Sequence, residues 1–159
     1  MSDFKFMKMA IKLAAKAEKK NEVPVGAVIV KDGKIIARGY NKRETDCCAT
    51  SHAEMIAIKK ACKKLGAWRL TGCDLYVTLE PCPMCCGAAI NSRIDNIIFG
   101  AYDPKAGACG TILNLCDTKE LNHHPTVTGG VMEKECSLQL TNFFRNLRKI
   151  KKEEKNSNI

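Results

Sequence analysis

His52-Ala53-Glu54 and, further along, Pro81-Cys82-Pro83-Met84-Cys85 place one imidazole, two thiols and one carboxylate at spacings that could serve a single metal. A catalytic zinc keeps three protein ligands and leaves its fourth position for water. With His52, Cys82 and Cys85 as the three, Glu54 is spare, and a carboxylate beside water can move protons. Two residues apart inside a helix, His52 and Glu54 would splay by about 200°, so they are not expected to ligate one ion together. At a helix's first turn, however, His52 can bind the metal while Glu54 leans toward the water. The chemistry these residues suit is metal-assisted hydrolysis.

Spacing alone is weak support for this. With ten Cys in 159 residues, a Cys-x-x-Cys pair arises by chance roughly 0.6 times. Requiring Pro in front of the first Cys lowers that to roughly 0.02, and here the pair also falls where a strand should pass into a helix. Pro83 suits the first helical position, which makes Cys82 the cap and puts Cys85 in the first turn. The two sulfurs can then converge on one ion, and the helix N-terminus favours their thiolate forms. A lone His-x-Glu is commonplace. It gains meaning from lying one helix and one strand upstream of Pro-Cys-x-x-Cys.

The elements that must position these groups follow from pattern. Phe4, Met7, Ile11 and Ala14 recur at helical spacing with Ser2 available as N-cap, while Lys5, Lys8, Lys12, Lys16 and Lys19 read as a solvated face. Strands are predicted over 25–31 and 34–40, joined by the hairpin signal Asp32-Gly33. A polar loop at 41–50 precedes a helix marked by Met55, Ile58, Cys62 and Leu65 and stopped by Gly66. A strand over 73–79, a helix from Pro83 to about Ser92 and a strand over 94–100 come next. A Gly-containing loop at 102–110 and a poorly patterned stretch through His123-His124-Pro125 lead to a short fifth strand at 126–131. The last helix is predicted from Glu133 to about Lys152. Helices on both faces of a central sheet are the natural layering for this order.

Composition shows no mid-chain shift, so residues 1–152 are expected to form one domain and 153–159 a frayed polar tail. Apolar runs such as 26–30 are strand-sized, and the first twenty residues carry a Lys every three or four positions, so no membrane span or secretory segment is expected. A reduced, cytoplasmic setting then explains the cysteines better than a disulfide framework, with Cys62, Cys73, Cys116 and Cys136 as small core residues. The net charge of +9, from 26 Lys plus Arg against 17 Asp plus Glu, favours a polyanionic partner.

Taken together, Pro24-Val25-Gly26-Ala27-Val28-Ile29-Val30, Gly39-Tyr40-Asn41, His52-Ala53-Glu54, Glu80-Pro81-Cys82-Pro83-Met84-Cys85, Gly100-Ala101-Tyr102-Asp103-Pro104-Lys105-Ala106-Gly107, Asn122-His123-His124-Pro125 and Phe143-Phe144-Arg145 resemble the cytidine and nucleobase deaminase superfamily. Within it the chain resembles the bacterial tRNA-specific adenosine deaminases. The likeness covers nearly the whole chain. Its middle motifs are shared with guanine and cytosine deaminases; the last three point to the tRNA branch. Cys86, where a small residue is expected, and Cys47, Cys48 and Ser51 before His52 are departures.

The resemblance implies a three-layer α/β/α cytidine deaminase-like fold with a central five-stranded mixed sheet. It implies one zinc ion per subunit on His52, Cys82 and Cys85, and a homodimer acting on a tRNA anticodon stem-loop. Water would attack C6 of the wobble adenine, with Glu54 moving a proton to ring N1 and then to the departing amine, so that inosine and ammonia form. Asn41 would hydrogen-bond the flipped base, and the backbone around Ala53, Pro81 and Cys82 would line the pocket. In the final helix Met132, Cys136, Leu140, Phe143 and Leu147 make the buried stripe. Phe144 is then either a stacking surface beside Arg145 and Arg148 or part of the core. Asp103, beside Lys105, is either a ribose 2′-OH acceptor or a loop cap before Pro104. His123 and His124 are RNA contacts or loop packing. Other classes stay open: a thioredoxin-like dithiol at Cys82 and Cys85, or a closed structural zinc with Cys86 or His123 as fourth ligand. A free-base deaminase such as guanine deaminase is the alternative within the enzyme class.

Overall fold

The structure is a computed structural model that describes residues 2–158. Its elements are α1 (Ser2–Glu18), β1 (Gly26–Lys31), β2 (Lys34–Tyr40), α2 (Ala53–Leu65), β3 (Cys73–Leu79), α3 (Pro83–Asn91), β4 (Asn96–Ala101), a 3-10 turn (Leu115–Asp117), β5 (Thr126–Thr128) and α4 (Glu133–Ser157). The five strands form one mixed sheet in the order β2-β1-β3-β4-β5. β1 is antiparallel to both β2 and β3, whereas β3, β4 and β5 run parallel. Asp32 and Gly33 both take positive φ, 49° and 70°, as a two-residue hairpin turn requires.

The sheet is buried on both faces, and alternation along the strands assigns each residue to a layer. Ala27, Ile29, Leu75, Val77, Ile97 and Phe99 point to one side, where they pack with Ala53, Ala57 and Ala61 of α2 and Cys86, Ala89 and Ile90 of α3. Val28, Val30, Tyr76 and Ile98 point to the other, against Phe6, Met7, Ala10 and Leu13 of α1 and Cys136 of α4. This is the expected three-layer α/β/α arrangement.

Both early helices sit closer to the sheet, and are rotated further, than their large apolar residues predict. α1 buries Phe6, Met7, Ala10, Leu13, Ala14 and Ala17 and leaves Phe4 55% exposed. α2 buries Ala53, Glu54, Ala57, Ile58 and Ala61, with Leu65 exposed and Cys62 half-buried. The physical reason is backbone contact. A Cβ on Gly39 of β2 would collide with the Ala53 carbonyl, so the alanine face and a bare strand let the N-terminus of α2 lie directly on β2.

Boundaries differ too, β4 running from Asn96 to Ala101 instead of over the expected 94–100. α1 begins at Ser2 itself, so its capping position lies outside the described residues. β5 stops at Thr128, before Gly129 and Gly130. α4 continues through Ser157, five residues past the expected end, and residues 153–157 are exposed helix. Only Cys136 of its stripe is fully buried; Met132, Leu140, Phe143 and Leu147 are half-buried.

Candidate active site

The site lies where parallel β3 and β4 end side by side, the usual place for ligands in open α/β sheets. Its donors come from two helix starts. His52 is the N-cap of α2 with extended backbone (φ −76°, ψ 154°), and Cys82 is the N-cap of α3 (φ −71°, ψ 172°), followed by Pro83. Cys85 falls in the first turn of α3. Neither cap residue spends its side chain on a capping hydrogen bond, so the imidazole and thiol face each other across the gap.

His52 Nδ1 lies 3.7 Å from Cys82 Sγ and 3.5 Å from Cys85 Sγ. A tetrahedral zinc with Zn–N near 2.05 Å and Zn–S near 2.3 Å holds nitrogen and sulfur about 3.6 Å apart. The triangle therefore already has the dimensions of three zinc ligands, and all three donor atoms lie within 4.8 Å of one another. The sulfurs are electrostatically unequal. Hydrogen bonding from Cys85, and then from His52, brings Cys82 down to about 4, while the same contact and burial push Cys85 up. The hydrogen bond to Cys82 raises His52.

Glu54 is not part of this triangle. It is 4% exposed, and burial raises its carboxyl to about 7, the range in which a group can both accept and donate a proton near neutral pH. His52, Cys82 and Glu54 border a cleft of about 290 Å³ whose walls also include Val25, Asn41, Ala53, Leu79 and Phe144.

The remaining residues named from sequence divide into two groups. Asn41, Ala53, Asp103 and Phe144 line the cleft. Asn41 already donates to the Val23 carbonyl and accepts from the Arg43 amide, which leaves one donor and one acceptor position on its amide. Asp103 Oδ1 accepts from the Lys105 and Ala106 amides, the loop-capping role. Phe144 is 41% exposed at the cleft, with its ring edge-on to Phe143 at 5.3 Å.

Pro81, Lys105, Arg145 and Arg148 are not on the cleft wall. Pro81 is buried with its carbonyl taken by the Ala108 amide; the other three are exposed. His123 and His124 are bonded to the carbonyls of Ile94 and Thr118, as loop packing requires. Neither His123 nor Cys86 joins the His52 group, so the closed four-ligand zinc finds no fourth ligand among the described residues.

Two buried carboxylates escaped sequence reasoning. Glu80, 1% exposed, accepts from the amides of Asp103, Cys109 and Thr111 and from the Thr111 hydroxyl. It thereby ties the loop after β4 to the residue before Pro81. A Cβ at Gly107 would strike this carboxylate. Glu22 does the same for the opposite loop, accepting from the Glu44 and Thr45 amides. The only sequence signals for Glu80 are its place in the motif with Pro81 and Cys82 and its acidity directly after a mainly apolar strand. Arg43, an additional cation on the cleft wall, had no signal beyond its proximity to Asn41.

A His-Cys-Cys triangle with zinc dimensions beside a buried carboxylate, at the end of a βαβ unit in this three-layer fold, defines a zinc-dependent deaminase. Residues 1–101 match the family described as the cytidine and deoxycytidylate deaminase zinc-binding region, and zinc is the metal this donor set fits. The tRNA-specific adenosine deaminase of Bacillus subtilis (strain 168) is 56% identical over 147 residues, covering 92% of this chain and 91% of that one. A structure from a study of A-to-I editing by tRNA:A34 deaminases at the wobble position of transfer RNA superposes with a TM-score of 0.83 at 43% identity, covering 85% of this chain and 98% of the other. Guanine deaminase from Bacillus subtilis is more distant in shape, with a TM-score of 0.61 at 37% identity over 89% of this chain and 92% of its own. The chain belongs to the cytidine and deoxycytidylate deaminase zinc-binding family and, within it, to the tRNA-specific adenosine deaminases.

Proposed function

We propose that this protein deaminates adenosine to inosine at the wobble position of a tRNA anticodon loop, releasing ammonia. The observation that carries the reading is the zinc-sized triangle of His52, Cys82 and Cys85 beside buried Glu54 in a chain 56% identical to a tRNA-specific adenosine deaminase. Zinc, when bound there, supplies the Lewis acidity that activates water at neutral pH. Glu54 takes one proton of the water and delivers it to N1 of the adenine, then takes the proton remaining on the oxygen added at C6 and passes it to the leaving amine. Its burial keeps bulk water from levelling its acidity. Asn41 offers its remaining amide donor and acceptor to the flipped base, and Ala53 gives the base a flat, uncharged wall.

Outside the cleft, Phe144 stacks on a neighbouring base, and Arg145 and Arg148 on the same helical flank meet phosphates. Arg43, on the cleft wall, adds a further positive charge. The same reading takes the protein as a cytoplasmic homodimer with one zinc per subunit. Sedimentation of the zinc-loaded protein tests the homodimer. Among the described residues no helix is long and apolar enough to cross a membrane.

The decisive experiment incubates the zinc-loaded protein with an anticodon stem-loop carrying A at the wobble position and, separately, with adenosine, guanine and cytosine. Inosine from the stem-loop alone is expected. Xanthine from guanine, with the stem-loop untouched, would overturn the reading in favour of a free-base deaminase.

A further inference from the structure

A second set of sulfurs gathers on the far side of the zinc ligands. Cys86 follows Cys85 in α3, and one residue turns about 100° around a helix, so its thiol points into the core instead of toward His52. There Cys86 Sγ lies 3.4 Å from Cys116 Sγ and 3.6 Å from Cys109 Sγ. The three come from separate elements: α3, the loop after β4, and the 3-10 turn at Leu115–Asp117. They are 0%, 7% and 5% exposed, and all are free thiols. A pair of buried cysteines in contact needs no explanation beyond packing. Three thiols, each within 4.8 Å of the others, instead surround a point that one soft ion could occupy.

Coordination number and charge decide which ion. No fourth His, Cys, Asp or Glu completes the group among the described residues, whereas structural zinc takes four ligands, and two zinc-bound sulfurs at the tetrahedral angle stand about 3.8 Å apart. The two separations from Cys86, 3.4 and 3.6 Å, are shorter. Three thiolates would leave one negative charge around a divalent ion and two around copper(I). The cluster lies in the apolar core with Ala89, Ile90 and Ala108, where a net charge is costly. A trivalent centre is neutral with three thiolates. Trivalent arsenic has that charge, prefers sulfur, and carries a lone pair that compresses its three bonds into a pyramid, so it needs three close donors and no fourth.

We propose that Cys86, Cys109 and Cys116 form a three-thiolate site for trivalent arsenic, distinct from the zinc centre. Binding is an exchange in which arsenous acid, As(OH)3, and three thiols give As(SR)3 and three waters. Three As–O and three S–H bonds are replaced by three As–S and three O–H bonds, with no change of oxidation state or net charge. The loop between Cys109 and Cys116 provides the entrance. Its Ile112 and Leu113 are 57% and 47% exposed, so a local opening there reaches the sulfurs without disturbing the sheet.

The test uses zinc-loaded full-length protein carrying Cys47→Ser and Cys48→Ser, which removes an exposed adjacent pair that could also take arsenic. After incubation with arsenite and desalting, arsenic and zinc are measured together, and arsenic X-ray absorption counts the sulfur neighbours. One arsenic per chain with three sulfurs and unchanged zinc is expected. In the same background Cys86→Ala and, separately, Cys116→Ala should lose the arsenic and keep the zinc, zinc retention serving as the check that the fold survives. If either substitution unfolds the chain, the sulfur count on the intact cluster decides alone. Two-sulfur coordination, arsenic gained only as zinc leaves, or binding indifferent to both substitutions overturns the proposal. Preferential uptake of copper(I) or a second zinc in competition with arsenite overturns the charge argument.

Discussion

Replacing Glu80 tests whether the loop after β4 is held by one buried carboxylate. Its Oε2 accepts from the Asp103 amide at 3.0 Å and the Thr111 hydroxyl at 2.5 Å, and its Oε1 from the amides of Cys109 and Thr111 at 3.2 and 3.1 Å. Glu80→Ala leaves three backbone N–H groups without an acceptor, each costing about 1–3 kcal/mol when buried. Water entering the vacated space recovers part of that, so a net loss of about 3–5 kcal/mol is expected. Glu80→Gln separates charge from shape. Its amide nitrogen is best placed at the Oε2 position, because the Thr111 hydroxyl can rotate to accept while a backbone N–H cannot. One orphan remains, the Asp103 amide, and the other bonds lose their charge assistance, for about 2 kcal/mol in all. Asp103 and Ala106 lie on the cleft wall, so kcat/KM on the stem-loop should fall with stability while zinc stays bound. Urea unfolding and stem-loop kinetics measure both. A Glu80→Gln protein within about 0.5 kcal/mol of the parent, with unchanged kcat/KM, would refute the role given to this carboxylate.

Glu54→Ala should keep stoichiometric zinc and lose nearly all turnover, whereas His52→Ala should lose both; a Glu54→Ala protein that folds but cannot hold zinc would make Glu54 a ligand. In zinc-stripped protein the raised carboxyl of Glu54, about 7 against 4.5, makes ionisation unfavourable by roughly 3 kcal/mol. The contribution of the protonated form is present in full below about pH 4.5 and is lost as pH rises through about 7. Glu54→Gln removes that loss and should gain on the parent between pH 5 and pH 8 in urea midpoints; a constant gap between the two would contradict the burial argument. Arg145→Ala and Arg148→Ala should each lower the log–log salt slope of RNA binding by about 0.7 if the contact is to a single strand, and an unchanged slope in the double variant moves the RNA site off α4. Asp103→Asn keeps the Oδ1 acceptor that caps the loop, so it isolates the charge: kcat/KM on a DNA stem-loop should rise relative to RNA, and a constant ratio leaves capping as the whole role of this residue.

What could be read from the sequence, and what could not, follows from how far apart the cooperating residues lie. The hairpin at Asp32-Gly33, the stop at Gly66 and the Pro83 helix start depend on local backbone preferences, and local pattern finds them. The rotation of α1 and α2 was hidden because apolar periodicity gives weight to large residues. Here the alanines face the sheet, chosen for how closely they let two backbones approach at positions such as Gly39. Glu80 and Glu22 have partners 22 to 31 residues away, and all but the Thr111 hydroxyl are backbone amides, which any residue but proline provides. No side-chain pattern can announce such a bond. The His52, Cys82 and Cys85 set was legible for the opposite reason: metal ligation demands particular side chains, and its members sit at helix starts that leave their own marks. Cys86, Cys109 and Cys116 have the right side chains but no such marks, since one lies inside α3, one in a loop and one in a short 3-10 turn. Their convergence appears only once β4 has carried the chain back across α3.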